Sequence, residues 1–252
     1  MLRGFLTGKD LTAMQLHLKF SGEALLVPMA YQQLVQGMLY AALESDPAYQ
    51  AFLHQVGYRA LDRSYRHFVF GRLRGVYERV PGGLRFPNGA SLEVRSTQGR
   101  FIQLLMESMR PGSLHRLGQC RIAVEEARLE DRHVTEGEIR IRMDSPVTVH
   151  STQEDGSTFF PDPYEPDFSR LLAENAKNKW LSLYQTMPPG GLGFAPLDVT
   201  ERDKVVTRYK GFYVTGWRGS YLLSAEPQVL DLLYQTGLGS RNAQGFGLFD
   251  LC

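Results

Sequence analysis

The stretch GLGSRNAQGFG, residues 237–247, joins an amphipathic segment to the last apolar segment of the chain. Four of its eleven residues are glycines, arranged as two Gly-x-Gly pairs separated by five residues. Glycine accepts positive φ angles and lets the backbone approach a neighbour closely. A helix C-cap accounts for Gly237 or Gly239 but not for all four glycines. The spacing therefore predicts a loop with a binding role.

Phosphate is the ligand that this loop suits best. Successive backbone N–H groups in a glycine-rich loop form an anion-binding concavity, and Arg241 adds a guanidinium fork. The loop is not a dinucleotide-binding fingerprint, because Asn242 stands where the third glycine is needed and the loop follows a helix instead of a strand. It is not a P-loop either, because no Gly-Lys-Ser/Thr sequence is present.

The segments around the loop have hydrophobic patterns typical of alternating strands and helices. In the second half these are a strand in 136–151, a helix over 168–187, strands over 205–217 and 220–226, a helix opened by Pro227, and a last strand in 245–251. In the first half they are a strand over 14–20, a helix from Pro28 to about Leu43, a short helix near 47–57, strands in 67–80 and 83–96, a helix over about 98–109, and a strand over about 117–130.

Each half thus has the order β-α-β-β-α-β, which is the ferredoxin-like pattern. We expect an α+β fold of two tandem ferredoxin-like (RRM-like) domains, residues 1–130 and 136–252, joined by a hinge at about 131–135. The second half repeats the pattern without sequence identity to the first. Because the ferredoxin-like unit serves many functions, the fold by itself does not decide the activity.

Composition limits the class of protein. The chain has 252 residues, 43% of them hydrophobic, and lacks an apolar run long enough to span a membrane. The first ten residues are too charged for a signal peptide, and Met14 is an alternative start that would make 1–13 an upstream extension. Cys120 and Cys252 cannot build a disulfide framework or a structural zinc site, so a cytoplasmic location is expected.

Positive charge is concentrated in the first half. Residues 1–130 contain 16 lysines and arginines against 11 aspartates and glutamates, whereas residues 131–252 contain 12 against 16. Seven arginines fall within 59–85, and arginine outnumbers lysine 22 to 6 overall. Arginine is favoured where a planar fork binds phosphate, although a charge run is also typical of a solvated surface.

The glycine loop at the C-terminus, preceded by two ferredoxin-like halves, resembles the Cas6 family of CRISPR RNA-processing endoribonucleases, part of the RAMP superfamily. The resemblance covers Met14 to Leu251 and is supported by LVQGMLYAAL (34–43), FLHQVGY (52–58) and RHFVFGRL (66–73). It implies cleavage within each repeat of CRISPR precursor RNA without a metal or cofactor. Because RNA carries its own nucleophile, we expect 2′-OH attack that leaves a 2′,3′-cyclic phosphate and a 5′-hydroxyl.

The resemblance also implies three catalytic residues. Tyr40 matches the family tyrosine in Q-G-x-x-Y, and His54 matches the histidine in L-H-x-x-G. Arg66 matches the basic residue before the strand, a position where lysine is common in the family. Arg63 and His67 are the rivals of Arg66 for the role of stabilising charge.

RNA contacts are expected from the glycine-rich loop and from the arginines that follow His54. The candidate RNA-binding residues are Gly237, Gly239, Arg241, Asn242, Gly245, Gly247, Arg63, Arg72 and Arg74. The expected partner is CRISPR repeat RNA, single-stranded or hairpin, with other CRISPR effector subunits as further candidates and a monomer or homodimer as the assembly.

Two other readings remain open: a non-catalytic RNA-binding RAMP subunit, and a structural subunit. The sequence contains no H-E-x-x-H, no cysteine pair of zinc-site spacing and no G-x-S-x-G, so it offers no metal-site or acyl-transfer motif.

Helix geometry supplies a separate argument for Tyr40. At about 100° per residue, the apolar side chains of the first helix form one stripe that includes Val35, Met38 and Leu39. Tyr40 lies nearly opposite that stripe, beside Gln36. We therefore expect its side chain to lie outside the core face of the helix.

Overall fold

The computed structural model describes residues 14–22, 25–209 and 211–252. The alternative start and the extension over residues 1–13 lie outside the described residues. Within the described ranges, no helix is long and apolar enough to cross a membrane.

Among its described residues the first half contains ten strands and three α-helices, with a π-helical turn at Phe52–Val56 directly after the second helix. In chain order these are β1 Met14–Ser21, β2 Leu25–Val27, α1 Gln32–Ala41, α2 Pro47–Ala51, β3 Tyr58–Ala60, β4 Arg63–Tyr65, β5 Phe68–Phe70, β6 Glu78–Val80, β7 Gly83–Phe86, β8 Ala90–Ser96, α3 Gly99–Ser108, β9 Leu114–Leu117 and β10 Cys120–Glu130.

The second half contains eight strands and two helices among its described residues. In chain order these are β11 Glu138–Met143, β12 Ser151–Thr152, β13 Thr158–Phe159, α4 Pro166–Tyr184, β14 Gly193–Pro196, β15 Lys204–Tyr209, β16 Phe212–Trp217, β17 Ser220–Ser224, α5 Pro227–Thr236 and β18 Phe249–Leu251.

Two antiparallel sheets organise the chain. The first has the order β5-β8-β1-β10-β9, and the second has the order β14-β17-β11-β18. In the first sheet β1 lies between β8 and β10, and in the second sheet β11 lies between β17 and β18. This central position of the first strand of each half is the ferredoxin-like topology. The predicted α+β fold of two tandem ferredoxin-like units is confirmed.

Two strand predictions in the first half were too long. The sheet uses only Phe68–Phe70 of 67–80 and only Ala90–Ser96 of 83–96. Part of the remainder forms β6 and β7, and β7 pairs with both β2 and β6 in a separate three-stranded sheet. Glycine at 75, 82, 83 and 89 takes positive φ angles, so the backbone turns repeatedly between the two sheets.

The second strand of the second sheet was misassigned. It is β14, whereas residues 205–217 form the separate hairpin β15–β16. The β-branched sequence of the hairpin has a stronger strand propensity than the sequence GFAP of β14. Because β14 is an edge strand, its proline does not disrupt the sheet. Strand propensity therefore does not predict which of the two segments, β14 or residues 205–217, joins the second sheet.

Each sheet has its own hydrophobic core, and polar side chains connect the two halves. Arg95 on β8 is 1% exposed and reaches the second half, where Nη1 donates to the carbonyl of Phe249 at 2.8 Å. Its guanidinium also lies 4.0 Å from the ring centroid of Tyr234 on α5 and pairs with Glu93. These contacts fix the second half against the face of the first sheet opposite to its core.

Candidate active site

A cleft of about 740 Å³ lies between the two halves. The first half contributes side chains from α1, the π-helical turn, β4 and β5. The second half contributes side chains from α4, β15, the residue before β12 and the glycine-rich loop. Tyr40, His54, Arg66 and Arg241 all line this cleft, although they are far apart in sequence.

Helix α1 presents one face to the core and the other to the cleft. Val35, Met38 and Leu39 are buried, as the stripe predicted. On the opposite face, Gln36 Nε2 donates to the carbonyl of Ala243 in the glycine-rich loop at 2.6 Å, and Tyr209 donates its hydroxyl to Gln36 Oε1. The polar face of α1 is therefore where the second half docks.

Tyr40 and His54 are neighbours at one end of the cleft. Their ring centroids are 5.5 Å apart and the rings are nearly perpendicular. Tyr40 is half-buried because its ring also meets Phe68 edge-on at 6.0 Å, whereas His54 is exposed. The imidazole therefore lies in the cleft and not in the hydrocarbon core.

The π-helical turn that carries His54 begins where α2 ends. Asp46 caps α2 by accepting from the Tyr49 N–H at 3.2 Å, and Pro47 occupies the first turn. Leu53 is buried in the first core, which directs the adjacent His54 outward. Inserted turns of this kind are frequent at functional sites.

Arg66 is fixed against the same turn. Its Nη2 donates to the carbonyl oxygen of His54 at 2.9 Å, and its Nη1 donates to Ser64 Oγ. A side chain at Gly57 would lie 2.8 Å from Nη1 of Arg66 and 2.5 Å from the Tyr65 carbonyl oxygen. Gly57, at φ 66°, therefore makes room for this arrangement.

The Tyr40 hydroxyl is protonated at neutral pH. Burial raises its pKa, and the Arg66 guanidinium nearby opposes that rise only in part. A protonated phenol donates one hydrogen bond, so Tyr40 presents a donor beside the imidazole and the guanidinium. The three side chains proposed from the sequence are thus brought to one end of one cleft.

The glycine-rich loop has a conformation that its own side chains stabilise. Gly237, Gly239, Gly245 and Gly247 are all buried with positive φ. At Gly245 a Cβ would lie 2.8 Å from the Phe70 ring, so the glycine lets the loop pack on β5. Asn242 is 8% exposed, and its Nδ2 donates to the carbonyls of Leu238 and Phe246 at 3.1 and 3.0 Å. The Asn242 amide nitrogen is thus occupied within the loop, although the residue borders the cleft.

Two of the arginines expected to contact RNA lie elsewhere. Arg72 and Arg74 pair with Asp144, and Arg74 also pairs with Asp250 at 3.1 Å. Neither lines the cleft. The structure therefore uses them in ion pairs between the two halves, and their expected RNA contacts stay a prediction. Arg63 does line the cleft and is exposed.

His67 is a poor rival to Arg66. It is 3% exposed, and its Nε2 lies 2.7 Å from Ser182 Oγ on α4. Burial, together with the neighbouring Lys179, lowers its pKa to about 3, so the ring is neutral at pH 7. A neutral, buried imidazole cannot stabilise the charge of a phosphate in the cleft.

This buried histidine leads to a prediction for acid stability. Because the folded-state pKa lies below 6.5, the unfolded chain binds the extra proton between about pH 6.5 and 3, and stability falls as pH decreases through that window. Against a His67→Asn variant, which tolerates the φ of 53°, the wild type should lose about 1–2 kcal/mol more between pH 6.5 and 5. Urea unfolding at several pH values measures this, and parallel curves for the two proteins would contradict it.

The sequence did not identify two cleft residues, Lys179 and His150. Lys179 is 2% exposed, burial lowers its pKa to about 7, and its Nζ donates to the Gly237 carbonyl at 2.5 Å. Lys179 follows the buried residues Leu172 and Asn175 by seven and four positions, which places it on the same inner face of α4. This helical spacing could have identified Lys179 from the sequence. His150 gave no such signal, because only tertiary folding brings it to the cleft.

The electrostatic character of the cleft is uniform. Among the described residues that line it there is no aspartate or glutamate. The basic side chains are His54, Arg63, Arg66, His67, His150, Lys179 and Arg241. The described part of the chain also contains no cluster of His, Cys, Asp and Glu suited to a metal ion. The cleft is therefore suited to a polyanion, and its groups can move protons and stabilise negative charge.

The chain is similar to known CRISPR-associated proteins in sequence and in fold. Residues 129–251 match the family model of the C-terminal part of CRISPR-associated protein Cas6. The CRISPR-associated endoribonuclease Cas6 of Pyrococcus furiosus is 22% identical over 227 residues, which cover 88% of this chain and 82% of that protein.

Solved structures share the whole fold. The product of a Cas6-related gene from Pyrococcus furiosus superposes with a TM-score of 0.83 at 14% identity, covering 95% of this chain and 98% of that one. A RAMP protein that binds different RNA substrates superposes with a TM-score of 0.80 at 16% identity, covering 95% and 99%. At these identities the likeness concerns the fold. Residues 129–251 thus match the Cas6 family model, and the whole chain is similar to a Cas6 endoribonuclease in sequence and to Cas6-related proteins in fold.

Proposed function

We propose that this protein is an endoribonuclease that cleaves CRISPR precursor RNA within each repeat without a metal ion. This proposal depends on the cleft between the halves. Tyr40, His54 and Arg66 are neighbours there, and the described residues that line the cleft from them to Arg241 include basic side chains but no carboxylate. The name of the Pyrococcus furiosus relative and the match to the Cas6 family model support the same activity.

The reaction follows from the groups at that end of the cleft. RNA carries its own nucleophile, the ribose 2′-hydroxyl. His54 accepts the proton of this hydroxyl while O2′ forms a bond to phosphorus and the bond from phosphorus to O5′ breaks. Tyr40, which is protonated, donates to the departing O5′, and Arg66, which stays charged, stabilises the negative charge on the phosphorane. The products are a 2′,3′-cyclic phosphate and a 5′-hydroxyl.

Cleavage of repeat RNA in the presence of a chelator tests this proposal. The downstream fragment should accept a phosphate from polynucleotide kinase directly, and the upstream fragment should resist phosphatase until acid opens its cyclic phosphate. Fragments with a 3′-hydroxyl and a 5′-phosphate, or cleavage that requires a divalent ion, would contradict the proposed chemistry.

RNA affinity should fall with salt. If Arg63, Arg66 and Arg241 each neutralise one phosphate of a single strand, the plot of log K against log salt has a slope of about −2. Arg241→Gln should make that slope shallower by about 0.7. Arg128→Gln is the matched control, because Arg128 is exposed and pairs with Glu130 outside the cleft. Equal slopes for wild type and Arg241→Gln would remove Arg241 from the RNA-binding site.

A non-catalytic RNA-binding subunit of a CRISPR effector complex is the second candidate, since the same basic cleft suits it. Tight binding of repeat RNA without cleavage under the conditions above would favour it. In both cases the proposed partner is CRISPR repeat RNA and the proposed location is the cytoplasm, with the chain acting as a monomer or homodimer.

A further inference from the structure

His150 lines the same cleft as Tyr40 and His54, but within the described residues no ring contact or hydrogen bond joins it to either of them. It comes from the second half, directly before β12, and it is half-buried. Its ring is held by Phe160, with centroids 5.7 Å apart, and by Ser240 of the glycine-rich loop, whose Oγ lies 3.3 Å from Nδ1. The imidazole therefore has a fixed position in the cleft.

The neighbouring hydrogen bond determines which ring nitrogen carries the proton. The Ser240 hydroxyl has a single proton, which it donates to the carbonyl oxygen of Thr148 at 3.0 Å. Ser240 Oγ must then accept from His150, so Nδ1 is protonated and Nε2 of the neutral ring carries a lone pair. Nε2 has no hydrogen-bond partner among the residues that the structure describes, and its side chain faces the cleft.

Arg63 and Arg241 line the same cleft as His150. Burial, then Arg241 and then Arg63 lower the pKa of His150 to about 4, which keeps the ring neutral at pH 7. Within the described residues neither guanidinium is paired with a carboxylate, and Arg241 Nε is buried without a partner. Arg241 Nη1 donates to Gln244 Oε1 at 3.3 Å, and this amide is neutral. No carboxylate of the described chain thus neutralises either guanidinium, and the two charges with one neutral acceptor match a backbone phosphate and a hydroxyl of the same strand.

We propose that Arg63, Arg241 and His150 form a ribonucleotide subsite, separate from the reaction centre, in which the arginines hold a backbone phosphate and His150 Nε2 accepts a hydrogen bond from a ribose 2′-hydroxyl. This subsite rests on the proposed function, since it binds the same RNA strand. It distinguishes RNA from DNA at a nucleotide that is not cut, because only RNA carries the 2′-hydroxyl donor.

Single 2′-deoxy substitutions in repeat RNA test the subsite. Binding is measured in a His54→Ala background to prevent turnover, and each ribose other than the attacking one is replaced in turn. One position should weaken binding roughly threefold to tenfold, the value of one lost hydrogen bond. The same substitution should have no further effect in a protein that also carries His150→Ala.

Two further variants control this experiment. His150→Gln keeps an acceptor oxygen and should restore part of the deoxy effect, whereas His115→Ala changes a histidine that lies outside the cleft and should leave it intact. The subsite is overturned if no position shows a His150-dependent loss, or if His150→Ala weakens RNA and the deoxy-substituted RNAs equally. If unmodified RNA does not bind at all, the proposed function itself fails, so the two failures are distinguishable.

Discussion

Replacing His54 with alanine should reduce the rate of RNA cleavage by about 10²–10⁴-fold, the contribution of one positioned proton-transfer group. The imidazole is exposed in the cleft, 5.5 Å from the Tyr40 ring, where the 2′-hydroxyl would be deprotonated. Arg66 is held by the backbone carbonyl of residue 54 and not by the imidazole, so its position should survive the substitution. Repeat RNA affinity should therefore change only a few-fold. Single-turnover cleavage and equilibrium binding separate the two effects.

Gln55→Ala is the matched control for this variant. Gln55 is the next residue of the same π-helical turn and is exposed, but it does not line the cleft. Its replacement tests whether the turn itself is sensitive to substitution, and cleavage should continue at the wild-type rate. If His54→Ala instead abolishes binding while residual cleavage per bound RNA is normal, His54 is a binding residue and the proton acceptor lies elsewhere.

Replacing Arg95 with methionine should lower the free energy of unfolding by about 3–5 kcal/mol. Arg95 and Glu93 are 1% and 5% exposed, and their side chains pair with each other on β8, on the face of the strand that Arg95 uses to contact the second half. Without Arg95, the remaining cation near Glu93 among the described ion pairs is Arg74, at 3.6 Å. A buried carboxylate that has lost its closest cation is far more costly than the absence of both members of the pair. Urea unfolding measures the loss.

Two comparisons distinguish this effect from a general loss of charge. Lys19→Met removes an exposed ion pair with Glu125 on the same sheet and should leave the free energy of unfolding nearly unchanged. The double variant Arg95→Met/Glu93→Leu should be more stable than Arg95→Met, because it removes the orphaned carboxylate as well. If the double variant is as unstable as the single one, the stabilisation comes from the contacts of Arg95 with Phe249 and Tyr234 instead.

The fold was predictable because its signals are local. Alternating strand segments, capped helices and paired glycines each depend on a few neighbouring residues, and they appear in the same order in both halves. The prediction errors concern segments whose strand propensity conflicts with the pairing that the sheet adopts. The hairpin 205–217 has the composition of a sheet strand, whereas β14 contains glycine and proline and was overlooked.

The candidate site was predictable in part. Tyr40, His54 and Arg66 were identified through a family resemblance, and the structure brings them to one end of the cleft, although their catalytic roles stay a proposal. Arg72 and Arg74 look like RNA-binding residues in the sequence because the count of nearby charges does not reveal their carboxylate partners. Asp144 and Asp250, from the second half, are those partners.

The sequence by itself determined the two ferredoxin-like units, the glycine-rich loop and the outward position of Tyr40, because backbone propensity and periodicity act over short distances. Only the tertiary structure decided which charges are free, since pairing and burial depend on residues that are distant in the chain. In the tertiary structure Arg72 and Arg74 do not line the cleft, and His67 is buried against Ser182. His150 and Lys179 do line the cleft.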